Sequence, residues 1–153
     1  PMLRLTDLDY MRLALAEAAK ALHTNDVPIG ALAVYEGRII GAGCNRREAD
    51  HDPTAHAEMI AIRQAAAALG HWRLHGVTLY CTLEPCPMCA GAMVLARLPR
   101  LVYAALDPKA GAAGSVVDLL RHDQLNHRVD VSAGVLANEA AAQLQAFFDG
   151  LRT

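Results

Sequence analysis

The sequence predicts an α/β fold with three layers, in which a five-stranded mixed sheet carries helices on both faces. Short β-prone segments alternate with longer segments whose apolar residues recur at the helical period. Strand, helix and strand signals follow one another over 77–106, and such a βαβ unit joins parallel strands by a right-handed crossover. We find neither a repeat nor a linker, so we predict a single domain over 1–153.

The N-terminal segment predicts a helix followed by a hairpin. Thr6 and Asp9 resemble a capping box, and apolar residues at helical spacing follow them. Glu36 and Gly37 separate two β-prone runs, a pattern typical of two strands joined by a tight turn.

A polar loop and a second helix come next. The loop at 46–53 ends in Asp-Pro, which disfavours helix before the proline, and Gly70 is a plausible C-cap. The buried stripe of this helix is expected at Met59, Ile62, Ala66 and Leu69. In chain order we predict a helix at 6–24, strands at 29–35 and 38–44, a helix at 54–70, a strand at 77–82, a helix at 87–97, a strand at 101–106, a short helix at 116–122, a strand at 128–133 and a helix at 136–151.

Composition narrows the classes of protein. The net charge of −2 and the pI near 6.4 are not those of a typical nucleic-acid-binding protein. If this protein binds nucleic acid, it must do so through a local patch of basic residues. No apolar run reaches the ~18 residues of a membrane span, and the N-terminus lacks the pattern of a secretory signal. We therefore expect a soluble, cytoplasmic protein with no membrane partner, whose four cysteines are reduced or bind metal.

Three residues predict a metal site. Cys86 and Cys89 are three positions apart where a strand gives way to a helix, so both sulfurs lie on one side of the first helical turn. His56 occupies the equivalent place at the start of the preceding helix. One imidazole and two thiolates form a zinc ligand set, and a fourth position left for water is typical of catalytic zinc. Glu58 is then placed to take the proton of that water and return it.

Each motif alone has other interpretations. A single C-x-x-C also fits a thioredoxin-like redox pair or half of a zinc finger, and a single His near a helix start is often a cap or a core residue. The joint occurrence of H-x-E at a helix start and P-C-x-x-C after a strand favours the zinc enzyme.

The motifs "HAE" and "PCPMC" are similar to the signature of the zinc-dependent nucleoside and nucleobase deaminases. Four further segments, "NDVPIGALAV", "GCNRRE", "DPKAGAAGS" and "NHRV", resemble the bacterial tRNA adenosine deaminases in the same order, so the resemblance covers nearly all of the chain. It implies the cytidine-deaminase-like fold, a homodimer, and conversion of adenosine to inosine at the wobble position of a tRNA anticodon stem-loop.

The resemblance also implies roles for individual residues. His56, Cys86 and Cys89 would hold one Zn²⁺ per subunit, and Glu58 would carry protons to the ring nitrogen and to the leaving ammonia. Asn45 matches an asparagine whose amide reads the purine edge. The remaining substrate contacts that it implies are the apolar pocket walls Pro28, Ile29 and Leu83, and the loop residues Asp107 and Lys109 beside the flanking nucleotides.

Two other functions stay open. A deaminase of free guanine or cytosine shares "PCPMC" and needs no RNA surface, which suits the acidic pI. A non-enzymatic RNA-binding module would use a structural zinc, but such sites have four protein ligands. Leu106 and the C-terminal "FFDGLRT" stand where basic residues are common in the family, which removes charge that binds phosphate.

Overall fold

The predicted five-stranded mixed sheet with helices on both faces is confirmed. The computed structural model describes residues 4–152. Its elements are α1 (Asp7–Ala19), continued as a 3₁₀ turn (Lys20–Thr24), β1 (Gly30–Tyr35), β2 (Arg38–Cys44), α2 (Ala57–Leu69), β3 (Val77–Leu83), α3 (Pro87–Leu95), β4 (Arg100–Ala105), β5 (Asp130–Ala133) and α4 (Ala137–Leu151). The strand order is β2-β1-β3-β4-β5, with β1 antiparallel to both of its neighbours and β3, β4 and β5 parallel.

Different helices cover the two faces of the sheet. Side chains alternate between the faces along a strand, so Leu32 and Ala33 of β1 enter different cores. Leu32 packs in the cluster that contains Met11 of α1, with α4 on the same face. Ala33 packs in the cluster that contains Ala61 of α2, with α3 beside it. The molecule is therefore a three-layer α/β/α structure.

The hairpin turn between β1 and β2 has the predicted geometry. Glu36 and Gly37 have φ angles of 49° and 73°, so both lie in the left-handed region that a type I′ turn requires. The turn returns β2 alongside β1 and makes β2 an outer strand of the sheet.

Helix α2 lies unusually close to β2. A Cβ atom at Gly41 would overlap the backbone oxygen of Ala61, and one at Gly43 would lie 2.7 Å from the backbone oxygen of Ala57. Both strand positions are therefore restricted to glycine by the helix above them. This contact fixes where α2 begins, and thus where its first residues lie.

The second predicted helix begins later than expected. It begins at Ala57 and not at Thr54, because the residues after Pro53 form a turn. Of the expected stripe, Ile62 is buried, and Met59, Ala66 and Leu69 are half-buried against the same core. The fully buried face consists instead of Ala57, Ala61 and Ala65. The physical reason is the close approach to β2, which admits only small side chains.

The predicted short helix at 116–122 is also wrong. This segment forms turns, because the amides of Val116 and Leu119 donate to the carbonyls of Gly111 and Ala112 and not along a helix. The other predicted elements are present, with their ends displaced by a few residues. Within residues 4–152, no helix combines the length and the apolarity that crossing a bilayer requires.

Candidate active site

The site begins with two helix N-termini at one edge of the sheet. His56 is the N-cap residue of α2, with an extended backbone, and its side chain makes no capping hydrogen bond. Cys86 is the N-cap of α3, also extended and also without a side-chain cap, and Pro87 follows at the first helical position, where its missing N–H costs nothing. The imidazole of His56 and the thiol of Cys86 therefore do not cap their helices, although N-cap side chains usually do.

The three predicted ligands form one cluster. The Nδ1 atom of His56 lies 3.5 Å from the Sγ atom of Cys86 and 3.4 Å from the Sγ atom of Cys89. All three donor atoms lie within 4.8 Å of one another. One imidazole nitrogen and two thiol sulfurs are a donor set that suits zinc, and three protein ligands are the number used in catalytic sites. The residues present therefore fit a zinc ion.

The two thiols of the cluster have different pKa values. Hydrogen bonds from Cys89 and from His56 lower the pKa of Cys86 to about 4, against the effect of burial. The hydrogen bond of Cys89 to Cys86 and the burial of Cys89 both raise the pKa of Cys89. Cys86 is therefore the thiol of the pair that loses its proton first, and a thiolate is the form that binds metal.

Glu58 lies in the first turn of α2, beside the cluster. Its side chain is 4% exposed, and the thiol of Cys89 is among the groups that influence its carboxylate. Burial raises the pKa of Glu58 above its ordinary value. A buried carboxylate of this kind, next to a metal-binding cluster, is suited to accept and release a proton.

A cavity of about 170 Å³ opens beside these residues. It is smaller than the ~300–1,000 Å³ of pockets that enclose drug-sized ligands, so it suits a single base or another small ring. Its walls come from the start of α2, from the end of β3 and the residues that follow it, and from the loops before β1, after β2 and after β4. The lining residues are Ile29, Asn45, Arg47, His56, Ala57, Glu58, Leu83, Glu84, Cys86, Asp107 and Ala110.

Asn45 is held in one orientation at the cavity wall. Its Nδ2 donates to the backbone oxygen of Val27 at 3.2 Å, and its Oδ1 accepts from the amide of Arg47 at 3.2 Å. The residue is 4% exposed. An amide side chain has two N–H donors and two lone pairs, so one of each is left to face a ligand.

The loop after β4 forms another wall. The Oδ1 atom of Asp107 accepts from the amides of Lys109 and Ala110, which makes a tight turn, and its own amide donates to Glu84. Burial acts to raise the pKa of Glu84, but hydrogen bonds from Ser115 and from backbone amides outweigh it, so the pKa lies below its ordinary value. Glu84 is therefore a buried carboxylate anion.

Most of the predicted site residues lie together. Four predicted substrate contacts line the cavity together with His56, Cys86 and Glu58: Ile29, Asn45, Leu83 and Asp107. Cys89 is buried behind this lining, in the cluster with His56 and Cys86. Pro28 is buried but outside this lining, and Lys109 is exposed on the loop. The roles of all these residues in binding stay predictions.

The sequence analysis assigned no role in this cavity to Arg47, Glu84 or Ala110, yet all three line it. A carboxylate directly after an apolar strand, in "TLEPC", is the signal that would have identified Glu84, because such a charge needs partners when it is buried.

Comparisons with known proteins identify the family of this chain. The family model of the MafB19-like deaminases matches residues 5–152. The tRNA-specific adenosine deaminase of Bacillus subtilis (strain 168) is 50% identical over 94% of this chain and 89% of its own length. A solved structure from studies of A-to-I editing by tRNA:A34 deaminases at the wobble position superposes with a TM-score of 0.84, at 47% identity, over 88% of this chain and 97% of that one. The guanine deaminase of Bacillus subtilis has a TM-score of 0.65 at 32% identity, over 95% of each chain.

Proposed function

Because this chain belongs to the MafB19-like deaminase family and to the family of the tRNA-specific adenosine deaminases, we propose that it converts adenosine to inosine at the wobble position of a tRNA anticodon. The observation that carries this proposal is the group of His56, Cys86 and Cys89 beside the buried Glu58, in a cavity that suits one base. The reaction adds water at C6 of the adenine ring and releases ammonia.

His56, Cys86 and Cys89 are the residues that would hold one zinc ion per chain. Their donor atoms lie within 4.8 Å of one another, and the lowered pKa of Cys86 favours the thiolate form that binds metal. A zinc ion there supplies a Lewis acid that brings the pKa of water from 15.7 to near 7.

Glu58 performs the proton transfers. Its carboxylate accepts a proton from the attacking water and passes it to N1 of the ring. It then takes the remaining proton from the new hydroxyl on C6 and delivers it to the amino group, which leaves as ammonia while the C6 carbonyl forms. General acid–base catalysis of this kind contributes about 10²–10⁴-fold to the rate. The buried position of Glu58 supports this role, because bulk water does not compete for the proton.

The cavity walls bind and orient the base. Ile29 and Leu83 offer apolar contact to the faces of the ring. Asn45 has an N–H and a lone pair left after its two internal hydrogen bonds, and an amide with both reads the edge of an adenine. A base in an anticodon loop is unpaired and can be turned out into such a cavity.

The protein acts as a homodimer of single-domain subunits in the cytoplasm. Support for the dimer comes from α3, where Leu95 is 72% exposed and continues the face on which Met88 and Ala92 are only partly buried against the core. Support for the compartment comes from the four cysteines, which are all unpaired. Sedimentation equilibrium of the purified protein measures the subunit number.

The deciding experiment offers several substrates to the zinc-loaded protein. One is an anticodon hairpin with adenosine at the wobble position, and a matched control hairpin has its adenosine one position further along the loop. Free guanine and free cytosine are the other arms. We expect inosine at the wobble position and little in the control. Turnover of guanine or cytosine without inosine in either hairpin would refute the tRNA substrate.

A further inference from the structure

Glu84 is a second buried carboxylate at the cavity, and its partners lie in one distant loop. The side chain is 2% exposed and stands two residues before Cys86, just past the end of β3. Its Oε1 accepts from the amide of Asp107 at 3.0 Å and from the hydroxyl of Ser115. Its Oε2 accepts from the amides of Ala113 at 3.0 Å and Ser115 at 3.1 Å.

The loop wraps closely around this carboxylate. A Cβ atom at Gly111 would overlap the carboxylate of Glu84, so only glycine fits there without a shift. The amide of Ala112 donates to the backbone oxygen of Pro85 at 2.8 Å, next to Glu84 in the chain. The 107–115 loop is thus attached to the segment that leads into the metal-binding turn.

The charge of Glu84 and the shape of the loop depend on each other. All four donors are neutral N–H or O–H groups of the loop. A buried carboxylate without such donors costs several kcal/mol, so the arrangement of the loop that satisfies Glu84 is strongly preferred. That arrangement places Asp107 and Ala110 in the cavity wall.

We propose that Glu84 is a positioning residue that holds the 107–115 loop in the conformation that receives the nucleotides beside the target base. It acts through the loop and does not touch the reacting atoms. The inference rests on the proposed function, because it assumes an RNA substrate that extends past the base in the cavity. The loop conformation itself can be tested without any substrate.

Two substitutions weaken the contact between Glu84 and the loop to different extents, and a third restores it. In Glu84→Gln, one carboxylate oxygen becomes an NH₂ group. If this NH₂ group takes the place of Oε1, it can still donate a hydrogen bond to the hydroxyl oxygen of Ser115. It cannot accept from the amide of Asp107, so that amide loses its acceptor. Ser115→Ala removes one donor from an exposed residue and preserves the buried carboxylate, and Ser115→Thr restores the hydroxyl.

A matched control removes a carboxylate elsewhere. Asp7 pairs with Arg100 and Tyr80 on the α1 side of the sheet, away from the cavity lining. Asp7→Asn therefore lowers stability without acting on the loop.

The first measurement is hydrogen exchange of the free, zinc-loaded protein. We expect amides of the 107–115 loop to exchange at least about tenfold faster in Glu84→Gln than in the wild type, with a smaller increase in Ser115→Ala. In Asp7→Asn, the exchange rates of this loop should equal those of the wild type. Unchanged exchange in both Glu84→Gln and Ser115→Ala would overturn the proposal whatever the substrate is.

The second measurement separates binding from turnover. The ligand is a hairpin whose target base is a purine without the amino group, so that it binds but does not react. Its Kd should rise about 5- to 30-fold in Glu84→Gln and about threefold in Ser115→Ala. In Ser115→Thr, the Kd should return to the wild-type value. The rate at saturating reactive hairpin should fall by a smaller factor than the factor by which Kd rises, with zinc retained. A loss of stability with Kd unchanged would make Glu84 merely structural and refute its positioning role. Failure of the wild type to deaminate the hairpin would instead refute the proposed function.

Discussion

The Nδ1 atom of His56 lies 3.4 Å from the Sγ atom of Cys89, although 33 positions separate the two residues in the chain. They meet because β2 and β3 are both antiparallel to β1 and so run in the same direction. Helices α2 and α3 follow these strands and begin at the same edge of the sheet. In open α/β sheets, the carboxyl edge of the strands is where ligands bind.

Removing one thiol of this cluster should remove the metal. We expect Cys86→Ala to lose most of its zinc, because two remaining ligands bind far more weakly than three. The matched control is Cys44→Ala, since Cys44 lies on β2 outside the cluster. Zinc per chain, measured by elemental analysis after dialysis, distinguishes them. Equal zinc in the two variants would exclude Cys86 as a ligand.

The contact between α2 and β2 predicts an effect of a single added methyl group. Gly41→Ala should lower the free energy of unfolding by about 1–3 kcal/mol, because the new Cβ overlaps the backbone oxygen of Ala61. In Gly150→Ala, a Cβ meets nothing within 4 Å on an exposed part of α4. That control should change stability by less than about 1 kcal/mol. Urea unfolding of both variants is the check, and equal stabilities would show that the helix does not lie so close.

The stability of the folded protein at acidic pH should depend on Asp7. Its hydrogen bonds with Arg100, at 2.6 and 3.0 Å, lower the pKa of Asp7 below the ordinary value of 3.8, and the Tyr80 hydroxyl adds to this. Because the folded pKa is the lower one, the stabilisation is complete above pH 3.8 and is lost as pH falls towards the folded value.

Asp7→Asn tests this dependence. Since Asp7 and Arg100 are about a third exposed, we expect a loss of about 1 kcal/mol at pH 7 that shrinks below pH 4. Urea unfolding of wild type and variant from pH 2 to pH 7 measures the difference. A difference that does not vary with pH would contradict the ion pair.

Arg47 should contribute charge to RNA binding. It is exposed and lines the cavity on the loop after β2. We expect Arg47→Ala to weaken hairpin binding a few-fold and to reduce the slope of log K against log salt by about 1, as for a lost phosphate contact. Arg12→Ala is the control, because Arg12 is exposed on α1 at the other face of the sheet. Fluorescence anisotropy of a labelled hairpin, measured over a range of salt concentrations, gives these slopes. Equal slopes for the wild type and Arg47→Ala would show that Arg47 makes no such contact.

The sequence predicted that His56, Cys86 and Cys89 lie together because their signal is local. His56 and Cys86 both stand where a helix begins, and helix starts are marked by turns and prolines nearby in the chain. The same applies to the hairpin at Glu36 and Gly37, whose turn chemistry depends on two residues.

The sequence did not predict the contacts of Glu84 because its partners are remote and mostly backbone. Its donors lie 23 to 31 positions further along the chain, in a loop rich in glycine and alanine. Backbone amides leave no mark in a sequence pattern. The same loop explains the wrong helix at 116–122, where apolar residues at helical spacing donate hydrogen bonds within a compact turn.

The most direct test of the account substitutes Glu58 with Gln, which preserves the volume of the side chain and removes its ability to carry a proton. We expect Glu58→Gln to fold, to bind one zinc per chain and to bind the wobble-adenosine hairpin like the wild type. Its single-turnover rate of inosine formation should fall by about 10²–10⁴-fold. Inosine formation at the wild-type rate, with zinc bound, would contradict the assignment of proton transfer to Glu58.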